Sequence, residues 1–207
     1  MSEPDSSIDP RLLSAAREEF LEKGFAKASL SEICKNAGVT TGALYKRYQG
    51  KEDLFCALVS ETVHDMTEYV SEIANRDLTQ YSDRELYDSF SLNPEMNRTW
   101  LRFLYDHREG FILLIRCASG TRYESFHHDW TEQMNRMDYK YYQEARRRGL
   151  ATRNVSEDEL HVLTYSVWAL YFEPFFLGFS WKQIEQHAEM IYHFTDWHSA
   201  LGMREPE

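Results

Sequence analysis

Thr40, Thr41, Gly42 and Ala43 are four small residues in a row, and Tyr45, Lys46 and Lys51 follow them closely. That pattern suits contact with a polyanion. Small residues let the leading end of a helix enter a groove about 12 Å wide, while a phenol and ammonium groups can hold phosphate. Leu44 falls on the opposite side, where it is expected to lock against Phe20, Leu30 and Ile33. Lys51 opens a helix, a position where the helix dipole disfavours a cation, so a phosphate partner accounts for it.

Other chemistry is poorly represented. The sequence has no Gly-rich phosphate loop, no G-x-S-x-G and no H-E-x-x-H, so no catalytic residue is assigned and no enzyme is expected. His127-His128-Asp129, with His107 elsewhere, comes nearest to a metal set. Adjacent histidines on a helix diverge by about 100°, so these are read as surface residues, and no metal or cofactor is assigned. Cys34, Cys56 and Cys117 are odd in number and far apart, which fits a reducing cytoplasm, and the apolar neighbours of Cys117 favour inert burial.

The elements that carry these residues all read as helices. Apolar residues recur at three and four spacing, with no sustained period-two run. Residues 1–9 read as a disordered tail. Pro10 fits the first turn of a helix capped by Asp9, with the apolar stripe Leu12, Leu13, Ala16, Phe20 and a stop at Gly24. Ser29 with Glu32 reads as a capping box for a helix over 30–37. After Gly38 and a short turn, a third helix is expected over 41–48, and a fourth begins at Lys51 and runs to about residue 74. Two short helices joined by a Gly-containing turn form a helix-turn-helix. Further helices are placed near 83–91, 95–107, 109–118, 121–148, 157–178 and 181–201, with a second capping box at Ser156 and Glu159. Pro174 should loosen the end of its helix.

With 207 residues, 43% hydrophobic and 28% charged, the chain has the balance of a soluble globular protein. It contains no membrane-length apolar run and opens on an acidic segment unlike a secretory signal, so a cytoplasmic location is expected. The net charge of −11 divides unevenly: −3 over residues 1–10, +4 over 11–51 and −12 over 52–207. A basic island on an acidic body fits a protein that touches phosphate at one end.

Segment 11–55 resembles the DNA-binding domain of the TetR family of bacterial transcription regulators. The residues that carry the resemblance are Phe20, Gly24, the run Ser29 to Ala37, Gly38-Val39-Thr40-Thr41-Gly42-Ala43-Leu44-Tyr45, Tyr48 and Lys51-Glu52-Asp53-Leu54-Phe55. The resemblance covers about a quarter of the chain. It implies an all-α protein in two parts: a three-helix DNA-reading domain over 10–50, then a linking helix over 51–74 and a ligand-binding and dimerising domain over 75–207. It places Ser29, Thr40, Thr41, Gly42, Ala43, Tyr45, Lys46 and Lys51 at or beside double-stranded operator DNA. The sequence departs from the family at Lys46-Arg47-Tyr48-Gln49, where a base replaces a ring, and at Gly50, a weaker cap than the usual Ser or Asn. Arg47 could therefore reach phosphate or solvent.

Aromatic residues are dense beyond residue 83. Trp168, Tyr171, Phe172, Phe175, Phe176 and Phe179 nearly encircle one helix, so it is buried on more than one side. Ile184, His187, Ala188, Ile191, Phe194, Thr195 and His198 share a face of the last helix, and the resemblance makes the last two helices a homodimer interface. Trp100, Phe103, Phe111, Phe126, Trp130, Met134, Tyr165, Trp168 and Phe172 are the candidate lining of a small-molecule effector site. The rings favour an apolar or aromatic effector and would also attract a cation. Arg146-Arg147-Arg148 suits the negative end of a helix. The expected function is a ligand-responsive regulator, a repressor released from its operator by its effector. An activator or dual regulator, a ligand carrier without DNA function, and an enzyme on a helical bundle stay open from the residues alone.

Overall fold

The computed structural model describes residues 7–207, and every regular element among them is helical. In chain order these are α1 (Ile8–Lys27), α2 (Leu30–Ala37), α3 (Thr41–Tyr45), α4 (Lys51–Ala74), α5 (Asp83–Asp88), α6 (Pro94–Asp106), α7 (Arg108–Ile112), α8 (Phe126–Arg147), α9 (Glu157–Phe176), α10 (Trp181–Phe194) and α11 (Trp197–Leu201). A 3-10 turn spans Leu78–Gln80, and a π-helical turn, Leu113–Cys117, continues α7. The chain divides into two compact units. One joins residues up to 67 with 107–127, and the other joins 68–106 with 128–207.

The first unit is organised around three rings. Phe20 meets Phe55 edge-on with centroids 5.3 Å apart, and Phe25 lies 5.6 Å from Phe55. Leu12, Ile33, Leu44, Leu54 and Val59 complete the core, and Leu113, Leu114, Cys117 and Ala118 close it. Residues 107–127 therefore group with the helix-turn-helix, where the sequence reading had put them with the C-terminal domain. Their four apolar side chains have their burial in this core, a long-range pairing that periodicity does not reveal.

Several local expectations change in this unit. Residues 1–6 of the expected tail lie outside the described residues, while Ile8 and Asp9 already belong to α1. Ser7 precedes that helix, and Asp9 pairs instead with Arg47 at 3.0 Å. The expected Ser29–Glu32 capping box does not form. Ser29 Oγ lies 2.8 Å from Ser31 Oγ, and Glu32 pairs with Lys35. The capping carboxylate comes from another helix: Glu19, 3% exposed, accepts from the Ser29 backbone N–H at 3.1 Å and from Lys23 Nζ at 2.9 Å. Helix α3 stops at Tyr45 rather than residue 48, and the next turn is held by Asp53, which accepts from the Gln49 N–H.

The second unit packs Leu86, Tyr142, Ala145, Leu160 and Leu201 together. The three arginines at the end of α8 are taken up by Glu144 and by carbonyls and an acid outside the helix. Arg146 donates to Ala151 O and Thr152 O, and Arg147 pairs with Glu144. Arg148 donates to Leu78 O and Tyr81 O and pairs with Glu144 and Asp83. Those two guanidiniums hold the Glu144 carboxyl down at about 2. Ser156 and Glu159 form the expected capping box, and α9 ends two residues past Pro174. Helix α8 starts at Phe126 rather than residue 121, because the Thr121 hydroxyl closes a turn onto Ala118 O. The expected helix over 181–201 is broken at Thr195-Asp196. Asp196 accepts from the Ser199 N–H and starts α11, so His198 leaves the face of α10 and stacks on Tyr87 at 4.0 Å.

Lys23 and the Ser29 N–H hold the Glu19 carboxyl below its ordinary value of 4.5. Glu19→Gln should cost about 1–3 kcal/mol in urea unfolding. A depressed acid stabilises the fold above its unfolded value and loses that contribution as pH falls through the folded one. The gap between wild type and variant should therefore close on acidification below about pH 4.5.

Candidate nucleic-acid interface

Helix α2 ends at Gly38, whose φ of +64° is the left-handed conformation a tight turn requires and a Cβ resists. Val39 N–H donates to Cys34 O at 2.9 Å, which closes that turn. Thr40 then caps α3, its hydroxyl accepting from the Ala43 N–H at 3.2 Å. Leu44 is fully buried in the core shared with Phe20 and Ile33, with Leu30 packed at its edge. That anchor fixes the rotation of α3. Thr40, Thr41, Gly42, Tyr45 and Lys46 are exposed as a result, and Ala43 is half-buried. Tyr45 is 60% exposed, so it is no core ring.

The basic residues around this helix differ in availability. Arg47 is turned back onto α1: it pairs with Asp9, and its side chain is 19% exposed. It is neither solvated nor presented with Lys46. Lys51 Nζ donates to the carbonyls of Ala26 at 3.2 Å and Ala28 at 2.9 Å, and lies 4.5 Å over the Phe25 ring. Its charge at the start of α4 is thus accounted for by the carbonyls near the end of α1, with one of its three N–H groups left over. Ser29 is half-buried beside Ser31. Arg17 pairs with Glu109, and Lys23 with Glu19. Cys34 and Cys117 are buried and Cys56 is partly so, and burial raises all three thiols, which keeps them protonated.

The nine candidate effector residues do not form one group. Trp100 stacks on Phe103 at 5.2 Å and on Trp130 at 6.0 Å. Trp168 meets Trp100 edge-on at 6.1 Å and stacks on Phe172 at 5.6 Å. Met134, buried, lies one turn beyond Trp130 on α8. Three residues fall elsewhere. Phe111 is buried in the first unit, and Phe126 packs on Tyr123 against the first unit's core. Tyr165 is 52% exposed on α9. Helical spacing alone could not separate them, since all three are rings on apolar stripes.

The structure also adds residues to the ring cluster. Tyr69 stacks on Trp100 at 4.7 Å and on Phe103 at 5.7 Å. Tyr171 lies 5.4 Å from Trp168, and its hydroxyl donates to Asn97 Oδ1 at 2.6 Å. Asn97 in turn donates to Leu92 O and Ala188 O. Asp138 lies beside Thr164, and burial pushes its carboxyl up to about 7. The step of four from Trp130 through Met134 to Asp138 is visible in the sequence and could have marked that acid.

His128 and Asp129 are exposed. On α4, His64, Asp65 and Glu68 hold donor atoms within 4.8 Å of one another, a common arrangement on helix surfaces, and Asp65 is paired with His107 at 3.3 Å. Among the described residues no helix is long and apolar enough to cross a membrane.

Residues 12–58 match the family model described as "Bacterial regulatory proteins, tetR family". The HTH-type transcriptional regulator UidR of Escherichia coli is 45% identical over 49 residues, 24% of this chain and 25% of that protein. The HTH-type transcriptional repressor BepR of Brucella suis is 35% identical over 66 residues, 32% of each chain. The match thus spans a quarter to a third of these curated relatives. Among solved structures, Salmonella enterica GusR superposes with a TM-score of 0.54 at 18% identity, over 98% of each chain. NalD of Pseudomonas aeruginosa, described as the secondary repressor of the MexAB-OprM multidrug efflux pump, gives 0.51 at 22% identity over 90% of this chain and 95% of its own. The two structures share the fold across nearly the whole length, whereas UidR and BepR share the helix-turn-helix segment.

At Gly42 an added Cβ would meet nothing closer than Thr40 Oγ1 at 3.9 Å, so the fold does not require glycine there. Gly42→Ala should raise stability by about 1 kcal/mol through helix propensity. If a nucleic acid approaches this surface, the same change should weaken DNA binding, so a melting curve and a DNA titration on one variant should move in opposite directions.

Proposed function

We propose that this chain, a member of the TetR family of bacterial regulators, binds operator DNA as a homodimer and represses transcription until a small effector releases it. The observation that carries this reading is the exposed edge of α3, held outward by the buried Leu44. Thr40, Thr41, Gly42 and Ala43 approach the groove, while Tyr45 and Lys46 hold phosphate beside it. Ser29 and the remaining N–H of Lys51 lie at the margin of that contact. BepR is named a repressor and NalD is described as one, which supports repression over activation here. The effector site is the ring cluster around Trp100, Trp130 and Trp168. The regulator works in a cell compartment where DNA and reduced thiols coexist, the cytoplasm.

The dimer forms through α9 and α10. Val162 is 62% exposed on α9, and Tyr165, Ala169 and Phe176 follow it on one stripe. Met190 and Phe194, 64% and 79% exposed, stand one turn apart on α10. Apolar side chains so exposed on two neighbouring helices need a cover. A second copy of the same face supplies it and places two α3 helices for a near-palindromic site.

Fluorescence anisotropy with duplex DNA from upstream of the gene, at two salt concentrations, tests the reading. Tight, salt-sensitive binding beyond a scrambled duplex is expected. Lys46→Ala should lower the salt slope by about one per protomer, and Tyr45→Phe should weaken binding to all sequences by about tenfold. Unchanged affinity and slope in both variants would remove these residues from the interface. In a separate measurement, Val162→Lys combined with Phe194→Lys should convert the dimer to a folded monomer in sedimentation velocity; a persisting dimer would place the interface elsewhere.

A further inference from the structure

Arg47 follows Lys46 directly, yet it does not share the exposed edge of α3. Its Nε lies 3.0 Å from Asp9 Oδ1 in the first turn of α1, and its Nη1 reaches back to Ala43 O at 3.5 Å. The Arg47 side chain is left 19% exposed, against 48% for Asp9. The other ion pairs of the basic island are different in kind. Lys23 and Lys35 pair within their own helices, with Glu19 and Glu32, and Arg17 pairs with Glu109 on α7. Arg47–Asp9 instead ties the residue two beyond the end of α3 to the start of α1.

Helix capping does not account for Asp9, because Ser7 precedes α1 and Asp9 lies inside it. Asp9 Oδ1, the oxygen that faces Arg47, is shut off from solvent and accepts no hydrogen bond among the described residues. The contact is therefore one of charge. Drawing the guanidinium away would leave a charged oxygen out of water, which is costly, so Asp9 keeps Arg47 against a competing phosphate. A carboxylate also offers a guanidinium the same kind of acceptor oxygens that a phosphate does. Asp9 thus takes the place that a backbone phosphate would fill.

We propose that Asp9 is a positioning residue that withholds Arg47 from the DNA backbone and so limits the sequence-independent part of binding. The inference rests on the preceding reading that α3 faces DNA. Every arginine or lysine placed on a phosphate adds affinity for any sequence. With Arg47 withheld, Lys46 and the remaining N–H of Lys51 carry the phosphate contact near α3, and discrimination is left to the residues that enter the groove.

Anisotropy titrations of the full-length protein with the upstream duplex and its scrambled control, each at two salt concentrations, test this. Asp9→Asn should tighten binding to both duplexes about tenfold at the lower salt and steepen the salt slope by about one per protomer. Arg47→Gln alone should leave the slope at its wild-type value. Asp9→Asn combined with Arg47→Gln should return the slope to wild type. A gain that survives in the double variant would come from the lost acidic charge alone and would overturn the proposal. An unchanged slope in Asp9→Asn would also overturn it, as would a slope lowered by one per protomer in Arg47→Gln, which would put Arg47 on phosphate already. Circular dichroism checks the fold of each variant, and Asp9→Ser, which also removes the charge, replaces Asp9→Asn if that variant does not fold. No wild-type preference for the upstream duplex, with the Asp9→Asn gain present on both, removes the operator reading and keeps this one. Wild-type preference with no gain in Asp9→Asn does the reverse, and binding of neither duplex by any of the proteins overturns both.

Discussion

The burial of Leu44 against Phe20 and Ile33 is the contact on which the rest of the candidate interface depends. A fully buried leucine contributes about 1.5–3 kcal/mol, and here it also sets an angle. Helix α3 has five residues, too few to be stable alone, so its rotation is decided by the one side chain it buries. Once Leu44 points inward, the opposite residues must point outward. Glu19 reinforces this from α1 by taking the first backbone N–H ahead of α2, which ties the start of one helix to the middle of another. The turn at Gly38 and the Thr40 cap then leave little freedom between α2 and α3.

Charge in the first unit is less available than its sequence total suggests. Most of the basic residues in the island over 11–51 are committed inside the fold. Arg17, Lys23, Lys35 and Arg47 each pair with an acid, and Lys51 holds two backbone carbonyls. Lys46 keeps no internal partner among the described residues, and it sits on the exposed edge of α3. On the proposed reading, attraction to phosphate would be concentrated on few side chains. Lys51 and Arg47 hold α4 and α1 in place beside α3.

The second unit combines a finished core with an unfinished one. Around Leu86, Tyr142 and Leu160 the polar atoms are paired, with Tyr142 accepting from the Val155 N–H while donating to Arg153 O. Around Trp100 and Trp168 the pairing is incomplete: Tyr171 donates to Asn97, but Asn135 Oδ1 and the Trp100 indole N–H have no partner among the described residues. The contrast lies within one unit and one helix, since α8 contributes to both regions.

Local signals were enough for the helical class, the α2–turn–α3 motif, the Ser156–Glu159 box and the inward direction of Leu44. Each depends on residues within about one turn of each other, which is the range over which sequence spacing fixes geometry. What required tertiary structure depends on distant partners. Glu19 replaced Glu32 as the cap ahead of α2 because a buried carboxylate ten residues away reaches the same N–H. Arg47 turned from a possible phosphate contact into a partner of Asp9, and residues 107–127 joined the first unit, both through contacts far apart in the chain. The nine candidate effector residues separated into a cluster, two first-unit residues and one surface residue, although their helical spacing is alike. Spacing determines which side chains share a face; only packing decides what that face meets.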